Sequence, residues 1–407
     1  MPGIDDYRPF MGSQAIEEIR WLGRRLAGRR ILNVNSTAVG GGVAEILSRL
    51  VPLMNDLGLA ARWDVIKGGD AFYSVTKKFH NALQGDAQDV GLRDYEIYER
   101  TLAENQASMD LDADIVFVHD PQPAGLVSAR IPGRGRWIWR CHIDLARPDL
   151  AVWEYLQASV RRYDACVFSA PSYSRDLPIP QALIFPSIDP LSDKNRDLTT
   201  EEVDAVMARL EVPRDLPLVT QVSRFDRLKD PLGVIEAFEM ARPHGEARLL
   251  LVGGTADDDP EGREVLDLVR ERAKGKADIM VLCLPPTSHL EINAIQRASS
   301  VVLQKSVREG FGLTVAEALW KGKPVIAGAV GGIPQQITHR FSGILTRSIE
   351  GTAYWLKQLL NEPAYARKLG ENGREHVRQN FLLTRLLRDD LLLFLAVEHP
   401  GMEMIRL

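Results

Sequence analysis

Cysteine is scarce in this sequence: Cys141, Cys166 and Cys283 stand far apart among 407 residues. So few thiols exclude a disulfide framework and a thiolate metal site, and they predict small core residues in a reducing compartment. Neither sign of charge dominates, since 50 Lys and Arg against 55 Asp and Glu leave a net charge of −5. Nucleic acid and anionic membrane are therefore not expected as main partners. No uninterrupted apolar run approaches the ~18 residues of a membrane helix. The nearest, "LLRDDLLLFLAVEH", is broken by Asp389 and Asp390. The start, "MPGIDDYRPF", lacks the basic stretch and apolar run of a signal peptide, so a cytoplasmic location is expected. Short repeats and low-complexity tracts are missing too. Gly40-Gly41-Gly42 is not a dinucleotide fingerprint, because Glu45 occupies the third glycine position, and no Gly-Lys-Ser/Thr follows to make a P-loop. The eight histidines include no H-E-x-x-H, and no metal held by the protein is expected.

What is present is an alternation of strand and helix patterns. "RRILNVN", "ARWDVIK", "ADIVFVHD", "RWIWRCHI", "DACVFSA" and "ALIFPS" read as strands, separated by helical stretches such as "GGGVAEILSRLVPLMNDLG" and "DLAVWEYLQASVRRYD". "PSIDPLSDKNRDLTTEE" interrupts the rhythm and reads as a linker. The pattern then restarts with "LPLVTQVSRF", "ARLLLVGG", "DIMVLCLP", "SVVLQKS" and "KPVIAGA". The chain is too long for one ordinary core. The fold class expected is α/β, with two Rossmann-like doubly wound domains facing across a cleft. The boundaries are placed at 1–190 and 191–380, with a helical segment 381–407 at the end.

In such sheets ligands bind at the carboxyl ends of strands, and several of these ends carry chemistry. "VSRFDRLKD" places Arg224 and Lys229 after a strand, as a diphosphate would require or as a solvated basic loop would also allow. "REGFGLTVAEAL" sets Glu309 and Glu317 on either side of Gly310-Phe311-Gly312. The glycines allow close backbone approach, and amides at a helix start favour anions or hydroxyl oxygens. Glu317 has two readings, a ligand contact or the fourth residue of a capping box opened by Thr314. In the first half Gly41 and Gly42 form either a ligand-facing backbone surface or an ordinary tight turn. His119 and Asp120 end one strand, and His142 and Asp144 another, which suggests a polar lining. On the amphipathic "KKFHNALQG", Phe79 and Leu83 are expected in the core, with His80, Asn81 and Gln84 facing a sugar or solvent. The aspartates of "ADDDPEG" are expected to cap a helix.

With these residues in view, the sequence resembles the retaining GT-B glycosyltransferases of family four. "REGFGLTVAEAL" is similar to that family's E-x7-E signature and "VSRFDRLKD" to its diphosphate site. "VNSTAVGGGVAEIL", "KKFHNALQG", "VHDPQP", "WRCHIDL", "PSIDPLSDKN" and "ADDDPEG" narrow the likeness to the trehalose glycosyltransferring synthases, over roughly residues 30–380. The resemblance implies transfer of glucose from a nucleoside-diphosphate glucose (ADP-, UDP- or GDP-glucose) to free glucose, giving α,α-trehalose. It implies a reversible reaction and a homodimer, with no required cofactor and only a non-essential Mg2+ accompanying the nucleotide. By position, Glu309 would bind donor-sugar hydroxyls and Glu317 the ribose, while Arg224 and Lys229 would hold the diphosphate. Gly310, Phe311, Gly312, Leu313 and Thr314 would line the donor, His142 would stand near the glucose 6-hydroxyl, and Gly41 and Gly42 would approach phosphate and acceptor. Asp120, with His80, Asn81 and Gln84, would contact the acceptor. The terminal helix would return to the first domain. One departure is Asp230, where the family usually has glycine. The retaining trehalose phosphorylases resemble much of the same set, and a non-catalytic sugar- or nucleotide-binding protein is the reading from another class.

Overall fold

A parallel sheet covered by helices on both faces needs strands that are apolar throughout. The computed structural model describes residues 2–39, 41–241, 247–254 and 260–401, the side chains of 260 and 261 apart. It divides into two units, Met1–Ser187 with Leu383–Leu407, and Ile188–Leu382.

The first unit contains β1 (Arg30–Asn35), β2 (Ala60–Val65), β3 (Ile115–His119), β4 (Arg136–Cys141), β5 (Ala165–Phe168) and β6 (Gln181–Leu183). They form one parallel sheet in the order β2-β1-β3-β4-β5-β6. The chain order reverses between β1 and β3. Every residue of β3 is buried, and Phe117, Trp139, Phe168 and Tyr173 are among the largest buried side chains. The terminal helix Leu383–Glu398 belongs to this unit. Its Asp390 pairs with Arg140 of β4 at 3.2 Å, both fully buried, and its Phe394 ring meets Phe117 edge-on at 5.7 Å. Arg385 also donates to the carbonyls of Phe185 and Pro186.

The second unit contains β7 (Leu218–Val222), β8 (Arg248–Gly253), β9 (Ile279–Cys283), β10 (Val301–Gln304), β11 (Val325–Gly328) and β12 (Ile344–Thr346). This sheet is parallel as well, in the order β12-β11-β10-β7-β8-β9, and it reverses between β7 and β10. The short β12 has no counterpart among the strands expected from sequence, since three residues carry too little periodicity to be read. Cys141 and Cys166 are buried, but Cys283 is exposed, against expectation. It ends β9, which stands at one edge of this sheet. Among the described residues no helix is long and apolar enough to cross a membrane.

Candidate functional site

A reversal of strand order leaves adjacent loops diverging, which opens a crevice at the carboxyl ends of the flanking strands. In the second unit those strands are β7 and β10, and both lead into the motifs singled out above. The β7 loop is shaped by Asp226, whose Oδ1 accepts from the Leu228 amide at 2.7 Å and so caps the short turn Arg227–Lys229. Gln221 donates to the Lys229 carbonyl at 2.7 Å, and the Val307 amide donates to the Leu228 carbonyl at 2.8 Å, joining the two loops.

These bonds bring Lys229 Nζ to 2.6 Å from Glu309 Oε2, so the two predicted residues form one ion pair. The same carboxylate oxygen accepts from Ser306 Oγ at 3.1 Å. Arg224 lies apart from that pair in its bonding. Its side chain is 62% exposed and holds Asp226 Oδ2 at 3.2 Å, leaving much of its guanidinium open to an incoming anion. Asp230 adopts the left-handed conformation (φ 48°) that a glycine would take there. Its carboxylate accepts from the Gly233 amide at 3.0 Å, at the start of the helix Pro231–Ala241, and pairs with Lys305. Asp230 thus takes a backbone conformation that glycine adopts readily, and adds a helix cap.

Gly312 precedes the helix Leu313–Trp320 with φ 82° and ψ 65°. A side chain there would be strained, and its Cβ would press on Glu309 Cγ at 3.1 Å. The Gly310 carbonyl accepts from the Gly332 amide at 3.1 Å, and the buried Phe311 ring packs on Phe381 at 5.5 Å. The turn is thus held from below while the amides of Leu313 and Thr314, in the first helical turn, have no intrahelical acceptor.

The capping-box reading of Glu317 fails. The helix begins at Leu313, so Thr314 already lies in its first turn, and its hydroxyl donates to Gln304 Oε1 at 3.2 Å. Glu317 is instead 1% exposed, with Lys194 Nζ at 3.0 Å from Oε1. That contact has ion-pair distance without hydrogen-bond alignment, and among the described residues neither Glu317 oxygen accepts a hydrogen bond.

In the first unit the groups gather at the ends of β1, β3 and β4. His119 Nδ1 lies 3.1 Å from His142 Nε2, and His119 Nε2 lies 3.2 Å from Asn33 Oδ1. With Asn33 accepting, His119 carries its proton on Nε2 and receives one from His142 Nε2. Burial, with Arg140 nearby, holds both imidazoles well below their ordinary pKa, so both are neutral at pH 7. Asp120 is half-buried with φ 71°, and its Oδ1 accepts from the His142 amide at 2.7 Å. Desolvation pushes its carboxyl up to about 7, against the lowering effects of that amide and of Arg140. Gly41, with φ 104°, precedes the helix Gly42–Asp56, while Gly40 lies outside the described residues. On the helix Asp70–Leu83 and its cap, Phe79 and Leu83 are buried, whereas His80, Asn81 and Gln84 are half-buried. Asp257, Asp258 and Asp259 of "ADDDPEG" lie outside the described residues. Among the described residues no group of three or more His, Cys, Asp or Glu is placed to hold a metal ion.

Sequence reasoning missed Asn33, Gln304, Ser306 and Lys194. The first three are polar residues within or just after apolar strands, a signal available in principle. Lys194 sits in the stretch read as a linker, and nothing local ties it to Glu317.

Residues 33–175 match the family model for trehalose synthase, N-terminal domain, and residues 203–376 that for glycosyl transferases group 1. A trehalose synthase of Rubrobacter xylanophilus is 46% identical over 401 residues, covering 96% of each chain. A trehalose phosphorylase of Pleurotus pulmonarius is 29% identical over 434 residues, covering 92% of this chain but 58% of its own. Among solved structures, a trehalose-6-phosphate synthase matches with a TM-score of 0.72 at 14% identity, covering 90% of this chain and 98% of that one, a likeness of fold. With synthase identity extending over 96% of both chains, this is a glycosyltransferase of the GT-B fold and belongs to the trehalose synthase family.

Proposed function

We propose that the protein transfers glucose from a nucleoside-diphosphate glucose to free glucose, with retention, to give α,α-trehalose, and that it also runs the reverse reaction. The observation that carries the nucleotide is Glu317. A buried carboxylate with neither oxygen hydrogen-bonded among the described residues suits the two donors of a ribose diol. Inorganic phosphate, itself anionic, offers no such match, and this favours transfer from a nucleotide over phosphorolysis.

In this reading the second unit takes the donor. Arg224 and Lys229 stabilise the diphosphate as the glycosidic bond breaks, and Glu309 receives hydroxyls of the donor glucose. The Gly310–Thr314 turn lies along sugar and phosphate. Lys229 then exchanges part of its bond to Glu309 for phosphate oxygens. In the first unit Asp120, with His80, Asn81 and Gln84, receives the uncharged acceptor, His142 meets a sugar hydroxyl, and Gly41 and Gly42 let the ligand approach the backbone. The acceptor hydroxyl attacks the face that the diphosphate leaves, through an oxocarbenium-like state. Its proton passes to an oxygen of the departing diphosphate, so no protein nucleophile is needed. Positioning and electrostatics supply the rate.

Incubating the protein with glucose and ADP-, UDP- or GDP-glucose, and separately with trehalose plus nucleoside diphosphate or phosphate, tests this. Trehalose from a nucleotide donor is expected. Glucose 1-phosphate formed from trehalose and phosphate, without nucleotide, would overturn it. Binding of sugar and nucleotide with no turnover for any pair would leave only a binding protein.

A further inference from the structure

Taking a carboxylate out of water costs several kcal/mol unless charge and hydrogen bonds compensate. Glu317 has the charge, in Lys194, and among the described residues no hydrogen bond. The backbone around Lys194 is fastened to two helices. The Asn195 carbonyl accepts from Trp320 Nε1 at 3.2 Å, and Asn195 Oδ1 accepts from Lys321 Nζ at 3.0 Å. On the other helix, His289–Ala298, Asn293 donates to the carbonyls of Asp193 and Arg196 at 2.9 Å each. Arg297 donates to the Arg196 carbonyl at 2.9 Å as well. The stretch that reads as a linker is, at residues 193–196, a rigid bracket for one lysine. The Lys194 side chain is 18% exposed, so its ammonium stands between the buried carboxylate and solvent.

We propose that Lys194 is a positioning residue for the nucleotide. It sets its charge against Glu317 and keeps that carboxylate aimed, while its misaligned contact leaves both oxygens able to accept from a vicinal diol. This rests on the ribose reading of Glu317 given above. Without Lys194 the buried carboxylate has no opposite charge beside it and turns away from a bidentate partner.

The test uses the full chain and calorimetric titration with whichever of ADP, UDP and GDP binds the unmodified protein most tightly. Lys194→Met is expected to weaken that binding about 10–100-fold, the worth of one or two charged hydrogen bonds, with KM for glucose unchanged. Lys194→Arg is expected to restore most of the affinity. Glu317→Gln should weaken binding similarly, and Lys194→Met/Glu317→Gln should bind no worse than Glu317→Gln alone. That double variant carries no unpaired buried charge, so it keeps the comparison usable if Lys194→Met folds poorly. Unchanged nucleotide affinity in Lys194→Met, with affinity lost in Glu317→Gln, overturns the role of Lys194 and leaves the ribose reading intact. Unchanged affinity in Glu317→Gln overturns the ribose reading and this inference with it. A further loss in the double variant means that Lys194 touches the nucleotide directly, which also overturns positioning.

Discussion

In the first unit Asn33 inside β1, His119 and Asp120 at the end of β3 and His142 after β4 gather together, and in the second the strand ends beside the reversal carry Arg224, Lys229, Ser306 and Glu309. The two sheets have the same parallel architecture, and the groups occupy the same topological place, yet their electrostatics differ. The first set carries little charge: two imidazoles without charge, an amide, and a carboxyl raised to about 7 and so only partly ionised at neutral pH. The second is charged, with an ammonium–carboxylate pair at 2.6 Å and an exposed guanidinium. Doubly wound topology determines where a ligand can sit. On the proposed reading the side chains at those positions match an uncharged sugar in one unit and a diphosphate in the other, since cations at a strand end suit an anion.

The contrast can be broken most forcefully at the Arg140–Asp390 pair, a buried acid–base contact at 3.2 Å that lies in the first unit and ties the terminal helix to β4. Asp390→Ala leaves a buried guanidinium unpaired and is expected to cost about 3–5 kcal/mol in stability, read by urea unfolding. In the second unit the corresponding loss should appear in catalysis. Lys229→Met is expected to lower kcat by about 10²–10³-fold, as removal of one donor to developing charge does elsewhere, with a small change in Tm. Steady-state kinetics with saturating glucose checks this. Gly312→Ala forces a left-handed alanine against Glu309 and should cost about 1–2 kcal/mol by thermal unfolding, while also weakening the donor sugar.

A smaller effect concerns pH. The folded Asp120 carboxyl, at about 7, lies above its unfolded value of roughly 3.9, so folding favours its protonated form. Its contribution to stability is fully present below about pH 4, declines as pH rises towards 7, and is flat above. Asp120→Asn should therefore flatten part of the stability loss between those values in urea titrations at successive pH. In the parent protein kcat/KM for glucose should rise through about pH 7 as the acceptor contact ionises, and this rise should vanish in Asp120→Asn. Asp230→Gly, which installs the family's usual residue, should change stability least, within about 1 kcal/mol, because lost capping is offset by relief of the left-handed strain.

Much of this layout was legible beforehand for local reasons. Apolar runs bounded by turn residues located eleven of the twelve strands among the described residues, and the GFG turn marked a helix start next to a carboxylate. The errors share a cause. Thr314 and Glu317 have capping-box spacing, but spacing does not say where a helix begins, and the left-handed Gly312 set the start at Leu313. Cys283 lies in an apolar run, but a run does not reveal that its strand ends at a sheet edge.

The sequence by itself determined the kind of each element and the residues at each strand end, because hydrophobic period, glycine and proline act over a few positions. Only the tertiary structure decided which of those residues meet. Lys229 and Glu309 are 80 positions apart and join because β7 and β10 are neighbours at the reversal. Lys194 reaches Glu317 because two helices clamp an irregular stretch, and Arg140 meets Asp390 across 250 positions. Such pairings arise from strand order and from the burial of charge, and neither is written in any short window of the chain.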